Sequence, residues 1–386
     1  MRIGYVIAGV PNQNMALFHR IRFAAGDPAG VLLILEGDRV ERSLLVIRDI
    51  EAHRAATQAA VDEVFHPAEL VEAASLSVDR EVATAQALRV LAERYDLTEL
   101  RVDRSVPLVY ADVLSAGPFA VHCELHLSTQ ARRQKSPEEL DALRAAQQVT
   151  ERAMARACQT VADSIASSAG QLLSGGAPLT AERLQAMIDV WLLEEGYTGS
   201  DSIVACGPCG ADCHDRGSGP LYTAQPVIID IFPRSKQTRY HGDCTRTVVH
   251  GEIPDRIGAM HAAVAEAKRA AIAATRGGVT GEAVHLAASA AITAAGFAMG
   301  NFIESDAPDA VKMTHGTGHG IGLDVHEPPL LVRGGPELLV GDVITIEPGL
   351  YARGLGGVRI EDMVAVAEDG HENFNALPEG LDWRTG

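Results

Sequence analysis

The stretch Met313-Thr-His-Gly-Thr-Gly-His-Gly-Ile-Gly-Leu-Asp-Val-His-Glu327 interleaves His315, His319 and His326 with Gly316, Gly318, Gly320 and Gly322. Imidazole is the commonest neutral metal ligand and carries protons near neutral pH. Glycine costs a helix roughly 1 kcal/mol per position against alanine. His315 and His319 are four apart, yet they are not the paired ligands of an HExxH helix. The spacing predicts a bent loop whose backbone comes close to another part of the molecule. A surface loop rich in His and Gly is the plainer reading, and the carboxylates elsewhere in the chain decide against it.

Those carboxylates sit inside apolar strands. Val227-Ile-Ile-Asp-Ile-Phe232 and Asp243-Cys-Thr-Arg-Thr-Val-Val249 form one predicted pair, with Asp230 and Asp243 about a hairpin apart. Val343-Ile-Thr-Ile-Glu347 and Val358-Arg-Ile-Glu-Asp-Met-Val364 form a second, with Glu347 and Glu361 at a like separation. An acid in a buried strand costs several kcal/mol unless it is paired, protonated or metal-bound. Few cations stand near. Strand alternation puts Asp243, Thr245 and Thr247 on one face and Arg246 on the other, while Arg359 shares a face with Glu361. Four carboxylates and one imidazole make a hard, mainly oxygen donor set. It suits Mn²⁺, Co²⁺ or Zn²⁺ in an open two-metal centre.

The rest of the chain places this centre. Its 386 residues are 47% hydrophobic, enough for two domains with sizeable cores. With 51 acidic against 33 basic residues and a net charge of -18, nucleic acid and anionic membrane are disfavoured as partners. No apolar run is long enough to span a bilayer. The start reads as a strand and turn, not a signal peptide. Six scattered cysteines point to a reducing cytoplasm. Cys206, Cys209 and Cys213 cluster beside His214, but one Cys-x-x-Cys without a partner pair predicts no structural zinc.

Residues 1–131 read as an α/β unit. Val31–Leu35 and Ser43–Ile47 have strand length, Arg80–Tyr95 has helical spacing, and the polar Arg48–Arg54 segment reads as a solvated loop. Arg132, Arg133, Gln134 and Lys135 form a polar link. Ser136-Pro-Glu-Glu139 then opens a helix with a capping box, its apolar spacing running on through Leu143, Met154 and Val161 to Ile165. A second helix runs from Thr180 to Gly196, with Leu184, Met187, Ile188, Trp191 and Leu192 on one side. Ala-rich helices follow over 254–276 and 281–295. Helices, hairpin, helices, hairpin: residues 136–386 read as two related halves sharing one cleft.

At this point a family resemblance becomes specific. Ile229-Asp-Ile231, Gly242-Asp-Cys-Thr-Arg-Thr247, His315–Gly322, Asp324-Val-His-Glu327, Glu347-Pro-Gly-Leu-Tyr351 and Arg359-Ile-Glu-Asp362 resemble the blocks of the pita-bread metallopeptidases, over residues 136–386. That family includes methionine aminopeptidase, aminopeptidase P and prolidase. The N-terminal unit is similar, with weaker motifs, to the smaller domain of aminopeptidase P, prolidase and creatinase. The implied fold is α/β, a duplicated helix–hairpin catalytic domain behind a smaller creatinase-like domain. The implied metal ligands are Asp230, Asp243, His319, Glu347 and Glu361, with Asp243 and Glu361 bridging two ions, Mn foremost and Co or Zn as alternatives. The resemblance also implies attack on the scissile carbonyl by a hydroxide shared between the ions, with Glu347 as proton acceptor. His326 is implied to bond the carbonyl oxygen and His214 to hold substrate and leaving nitrogen. His315 is implied in the outer shell or substrate pocket. Arg359 is implied to orient Glu361 or meet a substrate carboxylate. The expected substrates are proline-containing peptides, and the expected assembly is a homodimer. An Xaa-Pro aminopeptidase leads, a strict Xaa-Pro dipeptidase is the enzyme alternative, and a non-catalytic peptide-binding module is the reading from another class. One position departs from the pattern: relatives often have proline before the cleft histidine, and here it is Cys213.

Overall fold

The computed structural model describes residues 2–37, 39–199, 201–307 and 309–384. The chain divides into two compact units, Met1–Arg132 and Arg133–Gly386. In the first, β1 (Ile3–Gly9), β2 (Ala29–Glu36), β3 (Arg39–Ile47), β4 (Glu63–Phe65), β5 (Glu99–Asp103) and β6 (Ala120–Glu124) form a mixed sheet of order β4-β3-β2-β1-β5-β6. Its central strands are apolar at nearly every position because both faces are covered. Val6, Leu32, Ile34 and Leu44 pack with Leu88 and Leu91 of helix Arg80–Arg94. Tyr5, Ile7, Val31 and Leu33 pack with Leu17 and Ile21 on the opposite side. The polar Arg48–Arg54 segment is not a loop: Asp49–Gln58 is a helix, polar because only Ala55 of it is buried.

The second unit contains the duplication. Helix Pro137–Ala162 starts with the expected capping box, Ser136 Oγ accepting from Glu139 N and Ser136 N donating to Glu139 Oε2. It stops before Ile165, which lies exposed in a short strand. In the polar link Gln134 is exposed while its two neighbours are not. Arg133 and Lys135 are buried, pairing with Asp342 and Glu327. Helix Ala181–Glu194 and the antiparallel strands Pro226–Ile231 and Cys244–Val249 complete the first half. Helices Asp255–Ala274 and Gly281–Ala294 begin the second.

The second predicted hairpin is more elaborate. Gly349–Ala352 pairs with Gly356–Arg359, and Val343–Ile346 pairs with Asp362–Val366, in two different sheets. The strand read from the sequence as 358–364 therefore changes sheets at Ile360–Glu361. There Glu361 N donates to Thr245 O at 3.1 Å, and Arg359 N to Thr247 Oγ1 at 3.0 Å, joining the halves.

Each half has its own core, and alternation decides what is left over. Val227, Ile229, Ile231, Cys244 and Val248 face the first pair of helices. Ile344, Ile346, Val358 and Ile360 face the second. Asp230, Thr245, Thr345, Glu347, Arg359 and Glu361 are the alternate residues, turned to the space between the halves.

Candidate metal centre

That space is a cleft of about 500 Å³ lined by Asp230, Asp243, His319, Glu347 and Glu361 together with His214, His315, His326 and Arg359. Ligand atoms of Asp243, His319 and Glu361 all lie within 4.8 Å of one another. His319 Nε2 is 3.4 Å from Glu347 Oε1 and 4.0 Å from Asp243 Oδ2. Asp230 is drawn aside, its Oδ2 accepting from Arg359 Nη2 at 2.8 Å.

The histidine loop is built by close approach. A Cβ on Gly318 would stand 2.0 Å from Thr345 O, and one on Gly320 2.3 Å from Pro328 O. Only glycine lets Gly318–Gly320 run as a strand between its neighbours. This fixes His319 between the strands Glu327–Leu331 and Val343–Ile346 of one sheet. Its Nδ1 faces Gly320 O at 3.0 Å. A carbonyl only accepts, so Nδ1 carries the proton and Nε2 presents its lone pair to the carboxylates.

That arrangement is repulsive without a cation. Burial raises the Asp243 carboxyl well above its ordinary range, with Glu361, Asp230 and Glu347 adding to the shift. Burial and then Glu347 and Asp230 push Glu361 up likewise. Burial also raises Glu347, against the opposing pull of His315 and Arg359. Burial lowers His319, His315 and His326, keeping the imidazoles neutral and able to act as ligands or acceptors. Asp230 Oδ1 is buried with no hydrogen-bond partner. Buried acceptors facing one another, one of them orphaned, with four carboxylates and an imidazole as donors, fit a divalent metal centre.

The other residues named from the sequence surround this group. His326 stacks edge-to-face on His319 with ring centroids 4.2 Å apart, exposed toward the cleft. His315 lies behind, its Nε2 2.8 Å from the Tyr351 hydroxyl. His214 is an exposed member of the lining, its backbone N–H donating to Asp212 Oδ1 at 2.9 Å. Arg359 reaches Glu361 through one hydroxyl, its Nε donating to Thr245 Oγ1 at 3.3 Å and Thr245 Oγ1 donating to Glu361. Besides Asp230 it donates to the Tyr351 hydroxyl, Cys213 O and Thr245 Oγ1. Arg246 turns to the other face, as alternation requires, and pairs with Asp362 at 3.0 Å beside Lys268.

Three supports escaped the sequence reading. Gln147 clamps Asp243 by its backbone, accepting from Asp243 N at 2.8 Å and donating to Asp243 O at 2.7 Å. Thr245 Oγ1 donates to Glu361 Oε2 at 2.7 Å. Tyr351 bridges His315 and Arg359. Only Thr245 left a signal, by sharing a strand face with Asp243.

Comparison with known proteins agrees with this architecture. A probable dipeptidase, PepE, of Mycobacterium tuberculosis is 40% identical over 181 residues, 46% of this chain and 45% of that protein. The match thus spans about half the length of the curated relative. The prolidase of Pyrococcus horikoshii has a similar solved structure, with TM-score 0.77, 21% identity, and 98% and 95% of the two chains covered. So has an X-Pro aminopeptidase of Thermotoga maritima, with TM-score 0.77, 22% identity, and 98% and 96% covered. These structures share the pita-bread fold with this chain. The model of Metallopeptidase family M24 matches residues 141–368, which take in Asp230, Asp243, His319, Glu347 and Glu361. The chain belongs to metallopeptidase family M24.

Proposed function

We propose that this protein hydrolyses the peptide bond preceding proline, releasing the N-terminal residue of Xaa-Pro peptides. The observation that carries the reading is the convergence of buried Asp243, His319 and Glu361, with Glu347 adjoining, in one open cleft. Asp230, Asp243, His319, Glu347 and Glu361 would hold two divalent ions, manganese by preference, which when bound would supply an activated water and positive charge toward the scissile carbonyl. Glu347 takes the proton that the attacking water loses and returns it to the leaving proline nitrogen. His326, outside the ligand group, donates to the carbonyl oxygen as negative charge grows there. His214, also in the lining, holds the substrate. His315, Tyr351 and Arg359 keep Asp230 and the cleft wall in place.

Arg359 is spoken for by Asp230, which supports a cleft that admits peptides longer than two residues. A strict dipeptidase is the second reading, favoured by Arg216. That residue also lines the cleft, is half-exposed, and pairs with the exposed Asp201 at 2.9 Å. The names dipeptidase and prolidase carried by relatives point the same way.

The N-terminal unit is assigned as the creatinase-like domain, the catalytic domain beginning at Ser136. Residence in the cytoplasm is supported by six cysteines free of disulfides. No helix among the described residues is long and apolar enough to cross a membrane. A homodimer completes the reading, on the family resemblance.

The test is hydrolysis of Ala-Pro and Ala-Pro-Ala at equal metal loading, before and after chelation. Turnover of the tripeptide that vanishes with metal and returns with Mn²⁺ supports the proposal. Cleavage of the dipeptide alone would move the assignment to dipeptidase. Full turnover without metal would overturn both.

A further inference from the structure

Cys213 stands where the family resemblance leads one to look for proline, beside a histidine that lines the cleft. Ligand atoms of Asp212, Cys213 and His214 lie within 4.8 Å of one another. Cys213 Sγ is 3.9 Å from His214 Nδ1. Sulfur and nitrogen donors at a tetrahedral zinc, with bonds of about 2.3 and 2.0–2.1 Å, stand roughly 3.5 Å apart. The three donors thus need only a small rotamer adjustment to share an ion. The backbone under them is already fixed. It leaves the short helical turn Gly207–Ala211, Asp212 Oδ1 accepts from His214 N at 2.9 Å, and Cys213 O accepts from buried Arg359 at 3.2 Å.

We propose that Asp212, Cys213 and His214 form a separate binding site for zinc-class ions on the cleft wall, and that filling it inhibits the enzyme. The donor chemistry separates this site from the acidic centre. A thiolate, an imidazole and one carboxylate favour Zn²⁺ or Cd²⁺ over Mn²⁺, while the acidic centre holds no sulfur. Cys206 is not part of it, since its Sγ accepts from Tyr222 N at 3.4 Å. Three protein ligands leave a fourth position for water from the cleft. On binding, the thiol proton passes to solvent and the ion takes the lone pair of His214. Inhibition rests on the peptidase reading, in which His214 contacts substrate; the binding itself does not.

The experiment uses the full chain loaded with Mn²⁺. Added Cd²⁺ is expected to produce thiolate-to-cadmium charge-transfer absorption in the ultraviolet. The absorption disappears in Cys213→Ser, weakens in Asp212→Asn, and persists when Cys206 and Cys209 are both changed to Ser. Added Zn²⁺ is expected to slow Ala-Pro-Ala turnover about tenfold, the worth of one charged contact. Cys213→Ser, measured against its own zinc-free rate, resists. Absence of Cys213-dependent absorption in a folded protein would overturn the site. Equal zinc inhibition of wild type and Cys213→Ser would overturn its inhibitory role and leave metal exchange at the acidic centre as the cause. Absorption that follows Cys213 in a protein with no peptide turnover would support the binding site while refuting the peptidase reading.

Discussion

Arg359 Nη2 stands 2.8 Å from Asp230 Oδ2, placing a buried guanidinium among the acids and imidazoles of the cleft. Both partners are largely withdrawn from water. Breaking a buried pair by removing one partner typically costs about 3–5 kcal/mol, because the remaining charge is left uncompensated. Among the described residues Arg359 is the cation paired with Asp230, and bound cations would share that role. Arg359→Met is therefore expected to lower Tm more without metal than with it. The check is thermal unfolding with and without Mn²⁺. Equal losses in both states would mean that the arginine matters for packing alone.

Asp243→Ala removes the most centrally placed acid. Its backbone clamp to Gln147 does not depend on the side chain, so the fold should persist. Loss of most bound metal and of activity by a factor of 10³ or more is expected for a group stabilising transition-state charge. Metal content by elemental analysis, with circular dichroism as the control for folding, checks this. Retention of full metal stoichiometry would contradict the assignment.

How far the sequence reached can be followed residue by residue. Period-two alternation carried Asp230, Thr245, Arg359 and Glu361 to one side and Arg246 to the other, because each strand buries its opposite face in a core. The alternate glycines were legible as close approaches, though not as approaches to Thr345 O and Pro328 O. Contacts between distant segments were invisible: Gln147 meets Asp243 only through folding, and no local pattern marks it. The switch of sheets at Ile360–Glu361 was equally hidden, since an apolar–polar run looks alike whether it pairs with one neighbour or two. The helix Asp49–Gln58 was missed because a helix with one buried residue has almost no apolar stripe.

His326 touches the ring of His319 but does not belong to the tight group of ligand atoms. His326→Ala should accordingly keep its metal and lose kcat by about 10²–10³, the usual effect of deleting one donor to a developing oxyanion. Steady-state kinetics at measured metal occupancy are decisive. A variant that loses metal while each loaded site keeps its rate would make His326 a ligand.

His241 makes acid stability testable. It is nearly buried, and burial lowers its pKa from 6.5 to about 4, with Arg234 reinforcing the shift and Asp324 and Glu327 opposing it. Protons therefore bind the unfolded chain more readily than the folded one between those values. Stability contributed by the neutral imidazole is complete above pH 6.5 and falls as pH drops toward 4. One pKa unit corresponds to about 1.4 kcal/mol, so the loss totals roughly 3 kcal/mol. His241→Gln cannot take up a proton, and its denaturation midpoint should decline less steeply across this window. Parallel declines for the two proteins would remove His241 as the cause.

Arg216 separates the two substrate readings. A dipeptide ends in a carboxylate next to its scissile bond, and holding that charge in a cleft calls for a cation. Arg359 is bonded to Asp230, Tyr351, Cys213 and Thr245, while Arg216 is paired with Asp201, and both members of that pair are substantially exposed. Solvent competes for such a pair, so releasing Arg216 toward a ligand costs little. If Arg216 reads the carboxylate, Arg216→Ala should raise KM for Ala-Pro about tenfold, the loss of one hydrogen bond to a charged group. Ala-Pro-Ala amide has no carboxylate at that position and should change less than about twofold, setting the scale for indirect effects on the cleft. Initial rates for both peptides at one metal loading give the answer. A tenfold loss confined to the dipeptide identifies Arg216 as the group that admits short substrates. Equal, small changes leave the C-terminal end of the substrate unread and favour the aminopeptidase.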